Sequence, residues 1–235
     1  MLVPIDDSIW MAEGEIVRFF GFAYPTRAVI VRMAGGQLWV WSPISLTPAL
    51  RSAVDALGTV AHLVSPNKLH HLYLRDWQAA YPSAALWGPQ SSIDRHKHLV
   101  FQPPLGDDPP AAWGGVIAQA WFRGSPFLDE VVFFHKPSST AILADLSENF
   151  SPAFLREHWS WWQRPVARWG GIAEGQGHAP IDWRLSFIRR RPARAALRKM
   201  LDWAPTRVVM AHGVWQRDHG LAYLERSFSW LGSAR

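Results

Sequence analysis

The stretch EVVFFHKPSSTAILADL, residues 130–146, decides the fold. A β-prone run at 130–135, a turn at 136–139 (KPSS) and a second run at 140–145 predict two buried, paired strands, with Asp145 at the end of the second. Loops at strand ends are where layered α/β proteins gather their chemistry. Outward from this pair, TRVVMA (206–211) predicts another buried strand, followed at once by His212 and Gly213. TVAHLV (59–64) predicts a strand that runs into the loop SPNKLHH, which carries the doublet His70-His71. Three histidines and a carboxylate are the ligand types that hold a zinc-like or iron-like divalent ion.

The remaining chain supplies the layers around these strands. Residues 28–33 and 37–41 flank Gly35-Gly36 and predict a hairpin. Thr47-Pro48 is an N-cap followed by proline, and Gly58 a stop, so a helix is expected over 48–57. A second helix is expected from the histidine doublet to about Tyr81, and short strands at 84–87 and 116–122. Residues 88–115, rich in Pro, Gly and Asp, are expected to be mostly loop. Ser151-Pro152 repeats the cap signal for a helix over 152–163, and helical spacing returns at 186–203 and 218–231. Strands interleaved with helices predict a layered α/β protein, taken as a single domain over 1–235.

Composition narrows the function classes. The absence of cysteine excludes disulfides and thiolate metal sites. There is no run of eighteen apolar residues, so no membrane span is expected, and MLVPIDDSIW lacks the pattern of a secretory signal. A cytoplasmic location is therefore expected. The net charge is +5. Arg190, Arg194 and Arg198 would form one helical stripe, read first as a solvated face and second as a dock for an anionic partner. No nucleic-acid partner is expected. Most of the fifteen tryptophans should pack the core, but HWSWWQRPVARW (158–169) could line an apolar pocket, a dimer contact or a membrane-surface patch.

With these residues in place, SPNKLHHLYLRDW, EVVFFHKPSSTAILADL and RVVMAHG together resemble the metallo-β-lactamase-like superfamily, and within it a metallo-hydrolase-like branch known as a domain of unknown function. The resemblance spans nearly the whole chain and implies a four-layer αββα sandwich with its site along one edge. Laid onto this chain, the superfamily's His-x-His-x-Asp-His loop puts its first two histidines on Pro66 and Lys68 and its Asp-His pair on His70 and His71. Pro66 cannot ligate and Lys68 is cationic, so the first metal position looks damaged. The later bridging aspartate matches Asp145 and the final histidine matches His212. An acidic residue usual after the first hairpin is replaced by Ser42-Pro43.

The resemblance thus implies one divalent metal ion, zinc first and iron or manganese as alternatives, held by His70, His71, Asp145 and His212. It implies a metal-dependent hydrolase of small molecules, with Glu130 or His135 as proton shuttle. Lys68 is either a loop lysine or a cation that holds an anionic substrate group. A relative that kept the fold and lost the metal, as a binding or scaffold protein, is the alternative, and an iron oxidoreductase ranks last. Asn67 is expected to form the turn, and His96 and His98 to be exposed loop histidines.

Overall fold

The computed structural model describes residues 1–232. The first sheet is built from β1 (Leu2–Asp6), β2 (Ile9–Phe19), β3 (Phe22–Arg32), β4 (Gln37–Trp41), β5 (Thr59–Val64) and β6 (Ala85–Trp87), six strands in sequential order. The first four pair antiparallel, and β4, β5 and β6 run parallel. The crossovers carry α1 (Pro48–Asp55), α2 (Leu74–Ala80) and, after β6, α3 (Gln90–Arg95). Thr47 caps α1 as its sequence predicts, its Oγ1 accepting the Leu50 N–H at 3.2 Å with proline next in line.

The second sheet holds β7 (Ile117–Phe122), β8 (Glu130–His135) and β9 (Thr140–Asn149), with β10 (Arg207–Gly213) added parallel beside β9, giving the order β10-β9-β8-β7. Between β9 and β10 run α4 (Pro152–His158), α5 (Arg164–Gly170), α6 (Ile181–Ser186) and α7 (Arg190–Asp202), and α8 (Gly220–Ser227) follows β10.

The sheets pack face to face through Ile9, Val29, Trp39 and Trp41 on one side and Val131, Phe133, Ile142 and Val209 on the other. Such side chains contribute roughly 1.5–3 kcal/mol each when fully buried. Leu50, Val54, Leu74 and Trp77 cover the outer face of the first sheet, and Ala196, Leu197, Met200 and Leu224 that of the second. This is the expected αββα sandwich.

Several local expectations are corrected. The sequence reading placed no strands before residue 28, yet β1, β2 and the start of β3 form there. β2 alternates buried and exposed positions and turns solvent-facing towards its end, so its apolar content is diluted by Glu13, Glu15 and Arg18. The helix expected over 152–163 stops at His158, because Trp159 turns extended to bury its ring and donate its Nε1–H to the Ala23 carbonyl at 2.9 Å. The helix expected from His71 begins at Leu74, since Asn67 to Tyr73 are held in successive turns.

Candidate metal centre

β9 and β10 do not pair evenly. Met210 lies opposite Leu143, but His212 lies opposite Glu148, so residues 144–147 bulge against the single residue Ala211. The bulge throws Asp145 towards the strand ends. Its backbone N–H groups would be orphaned, since the β8–β9 ladder reaches no further than the Phe133–Ile142 pair. The Glu130 carboxylate takes them instead. Oε1 accepts from Ala144 N at 2.8 Å, and Oε2 accepts from Asp145 N at 2.9 Å and Leu146 N at 3.3 Å. Asn67 Nδ2 donates to both Glu130 Oε2 (3.1 Å) and Asp145 Oδ2 (2.9 Å), fixing the second carboxylate against the first. Asn67 also makes the expected turn, its Oδ1 accepting from Leu69 N at 2.8 Å.

Two imidazoles face Asp145. His212 Nε2 lies 3.1 Å from Oδ1, and His70 Nε2 lies 3.4 Å from the same carboxylate. One ligand atom from each of His70, Asp145 and His212 falls within 4.8 Å of the others. The far side of each ring is anchored. His212 Nδ1 donates to the Pro25 carbonyl at 2.7 Å, and Ser42 Oγ lies 2.6 Å from His70 Nδ1. Ser42 sits at φ 48°, a left-handed conformation uncommon outside glycine, which aims its hydroxyl at the ring. Gly213 follows His212 at φ 98°, where a Cβ would lie 2.2 Å from the Asn149 carbonyl oxygen, so only glycine passes this turn. Arg27 ties the sheets together beside the site, donating to Met210 O at 2.5 Å and Gly213 O at 2.9 Å while pairing with Glu13 at 2.6 Å.

The donor set fits a cation. The Pro25 carbonyl can only accept, so His212 carries its proton on Nδ1, and a neutral ring presents a lone pair at Nε2. A lone pair 3.1 Å from a carboxylate oxygen is unfavourable unless a proton or a metal lies between. Burial alone would raise the Asp145 carboxyl, but the charges of and hydrogen bonds from His70 and His212 hold it well below the ordinary carboxylate range. Imidazoles with anchored far nitrogens, beside an ionised aspartate, are how histidine–carboxylate metal sites are prepared.

The remaining expected residues stand outside the cluster, although His71 lines the same cavity. His71 turns away: its Nδ1 bonds to the Leu69 carbonyl at 3.0 Å and its ring stacks on His96 at 4.0 Å. His96 is not an exposed loop histidine but is buried, its Nε2 bonded to the Lys68 carbonyl at 2.9 Å, whereas His98 is exposed. Glu130 does not face the cavity; its oxygens are spent on the bulge, and burial, followed by the Asp145 charge, pushes its carboxyl up against the hydrogen bonds from Ala144, Asp145 and Asn67, which favour the ionised form. His135 stands at the other end of β8, roughly 17 Å along the strand at ~3.3 Å per residue. It is buried against Ser138 (2.7 Å), and burial lowers its pKa to about 4. Neither residue can shuttle protons at this centre.

The centre opens into a cavity of about 530 Å³, reached by His70, Asp145 and His212. Aromatic and aliphatic side chains from β2, β3, α5 and α6 dominate its wall. Two of the polar wall residues that sequence reasoning did not single out bear on the centre. Tyr24 packs edge-on against His212 at 5.1 Å, its phenol pushed up by burial. Glu148 is buried, and its Oε2 has no hydrogen-bond partner among the described residues. Burial, followed by the charges of Asp145, Asp182 and Glu130, raises its carboxyl well above the usual range. No sequence signal separated Glu148 from its polar neighbours Ser147 and Asn149.

Sandwich and site together define a metallo-β-lactamase fold. The DIM-1 metallo-β-lactamase is 18% identical to this chain at a TM-score of 0.65, covering 100% of this chain and 97% of its own. A metallo-β-lactamase from Pontibacter korlensis is 12% identical at a TM-score of 0.62, with 98% of each chain covered. One from Erythrobacter litoralis is 11% identical at a TM-score of 0.65, covering 98% of this chain and 95% of its own. Residues 6–93 match the model of a domain of unknown function, DUF4336. No curated protein matches the chain. No helix among the described residues is long and apolar enough to cross a membrane.

Proposed function

We propose that this chain is a metal-dependent hydrolase with a single divalent ion held by His70, Asp145 and His212. The observation that carries the reading is the convergence of two anchored imidazole Nε2 atoms and one carboxylate at the floor of an apolar cavity. Zinc suits this donor set first, with iron or manganese as alternatives. A divalent ion there supplies Lewis-acid polarisation of a carbonyl or phosphoryl group and a nucleophile at neutral pH. Ser42 and the Pro25 carbonyl hold the two rings in the ligating orientation, and Asn67 and Glu130 hold Asp145. Glu148, with a carboxyl oxygen free of other partners, receives or returns the proton moved during bond cleavage. The apolar walls exclude water and bind a small substrate whose body is hydrocarbon and whose scissile group is an ester, thioester, amide or phosphoester.

Pro66 and Lys68 favour a second reading, a binding relative without catalysis. Pro66 serves the fold through its carbonyl, which accepts from Val131 N at 2.9 Å, and Lys68 is not part of the cavity wall. One experiment separates the two. Metal-stripped protein is titrated with zinc, iron and manganese and assayed against a panel of apolar esters, thioesters, amides and phosphoesters. The hydrolase reading expects about one ion per chain and turnover that Asp145→Asn removes. Uptake of no ion by the folded chain ends it.

A further inference from the structure

The mouth of the cavity is unusual for a surface in water. Phe20, Leu72, Ile181, Phe19 and Val166 line the cavity and are also 89%, 57%, 47%, 45% and 41% exposed. The apolar surface continues outward from them. Trp169 (77% exposed) lies one turn beyond Val166 on α5, and Leu185 (71%) one turn beyond Ile181 on α6. Trp161 and Trp162, just ahead of α5, are exposed as well. Isolated exposed apolar residues are ordinary, but a contiguous set around one opening marks a contact surface.

Charge accompanies it. α5 carries no acidic residue, and Asp182, the one on α6, lines the cavity. Arg164 and Arg168 are exposed on α5 beside Trp169, and Arg18 is exposed at the hairpin tip beside Phe19 and Phe20. Among the described residues none of these three forms a salt bridge. Tryptophan, phenylalanine and leucine interspersed with unpaired arginine is the composition of a surface that rests in the headgroup layer of an anionic membrane. A second copy of the chain is the wrong occupant, because a two-fold contact sets a patch against itself and would press these arginines together. A nucleic acid would use the arginines but leave Phe20, Leu72, Ile181 and Leu185 without a partner.

We infer that this face docks on an anionic lipid bilayer, with the hairpin tip and helices α5 and α6 seated in the headgroup layer and the cavity mouth turned to the acyl region. The substrate class that follows is an acyl-chain amphiphile entering from the membrane. That last step rests on the hydrolase reading; the docking does not.

The test is sedimentation of the full chain with vesicles of phosphatidylcholine alone and of an equal mixture with phosphatidylglycerol. Binding to the mixed vesicles is expected, weaker binding to the neutral ones, and a loss with added salt. Phe20→Ser and Trp169→Ser should each weaken binding about tenfold, from the burial of one aromatic ring. Arg18→Gln with Arg168→Gln should remove part of the salt-sensitive component. These side chains are exposed, so unchanged thermal unfolding certifies the fold. Asp145→Asn, which removes the metal, should bind vesicles like the parent, so a failure of the hydrolase reading stays distinct. Binding to neither vesicle, or a dimer that Phe20→Ser dissociates, overturns the inference.

Discussion

The backbone N–H of Asp145 donates to Oε2 of Glu130 at 2.9 Å, so one carboxylate holds the strand that presents another. Glu130 accepts three consecutive amides of the bulge, from Ala144, Asp145 and Leu146. In Glu130→Gln an amide NH2 faces one of these N–H donors and leaves it unpaired. A buried unsatisfied amide costs about 1–3 kcal/mol. Urea unfolding of Glu130→Gln should fall by about 2 kcal/mol, and the slackened Asp145 should weaken metal binding about 10–100-fold.

The proposed metal ligands and their neighbours should separate sharply in titrations of stripped protein. Asp145→Asn, His212→Ala and His70→Ala each remove a donor from the cluster and should abolish stoichiometric binding. His71→Ala should keep about one ion per chain, because that ring is committed to Leu69 and His96. Loss of the ion in His71→Ala would mean that the doublet acts jointly after all.

How much of this was legible in sequence depends on which forces set each residue. Asp145 and His212 were readable because long apolar runs give way to them, although β9 runs on past Asp145 to Asn149 without surfacing. His70 was readable for the same reason, at the exit of β5. His71 was not separable from it, because the divergence of two adjacent rings is set by a tight turn and by His96, 25 positions further along. The N-terminal strands escaped notice because half of β2 is solvent-facing and polar, and its tip was invisible as a cavity wall. Glu148 escaped because the polar run Ser147-Glu148-Asn149 reads as loop, whereas β9 continues through it with every residue buried. Tertiary partners, not local propensity, keep that segment extended: Ser147 Oγ donates to Gly177 O at 2.8 Å, and Asn149 Nδ2 to Val214 O at 2.7 Å.

His135 gives the fold an acid limit. Burial lowers its pKa from 6.5 to about 4, so between those values the unfolded chain takes up a proton that the folded chain refuses. Stability must therefore fall as pH drops through that window, with a slope of up to about 1.4 kcal/mol per pH unit from this group. His135→Gln keeps a polar partner for Ser138 and cannot titrate. Denaturant midpoints measured from pH 7 to pH 4 should flatten in this variant, and an unchanged slope would show that His135 is charged when folded.

Glu148 should be separable from the metal ligands by its behaviour in two assays. Glu148→Gln preserves volume and leaves His70, Asp145 and His212 in place, so metal content should match the parent. If the carboxyl moves a proton during cleavage, kcat should drop about 100-fold or more with KM little changed, the usual scale of a lost general acid or base. Stability should respond in the opposite sense. A carboxyl raised by burial holds its proton in the folded chain while the unfolded chain ionises, so stability is lost as pH rises above about 4.5. The amide escapes that penalty, and Glu148→Gln should therefore unfold at higher denaturant than the parent at pH 7. Lower kcat at unchanged metal content assigns Glu148 to the reaction, since a residue kept only for packing would leave the turnover of the folded fraction intact.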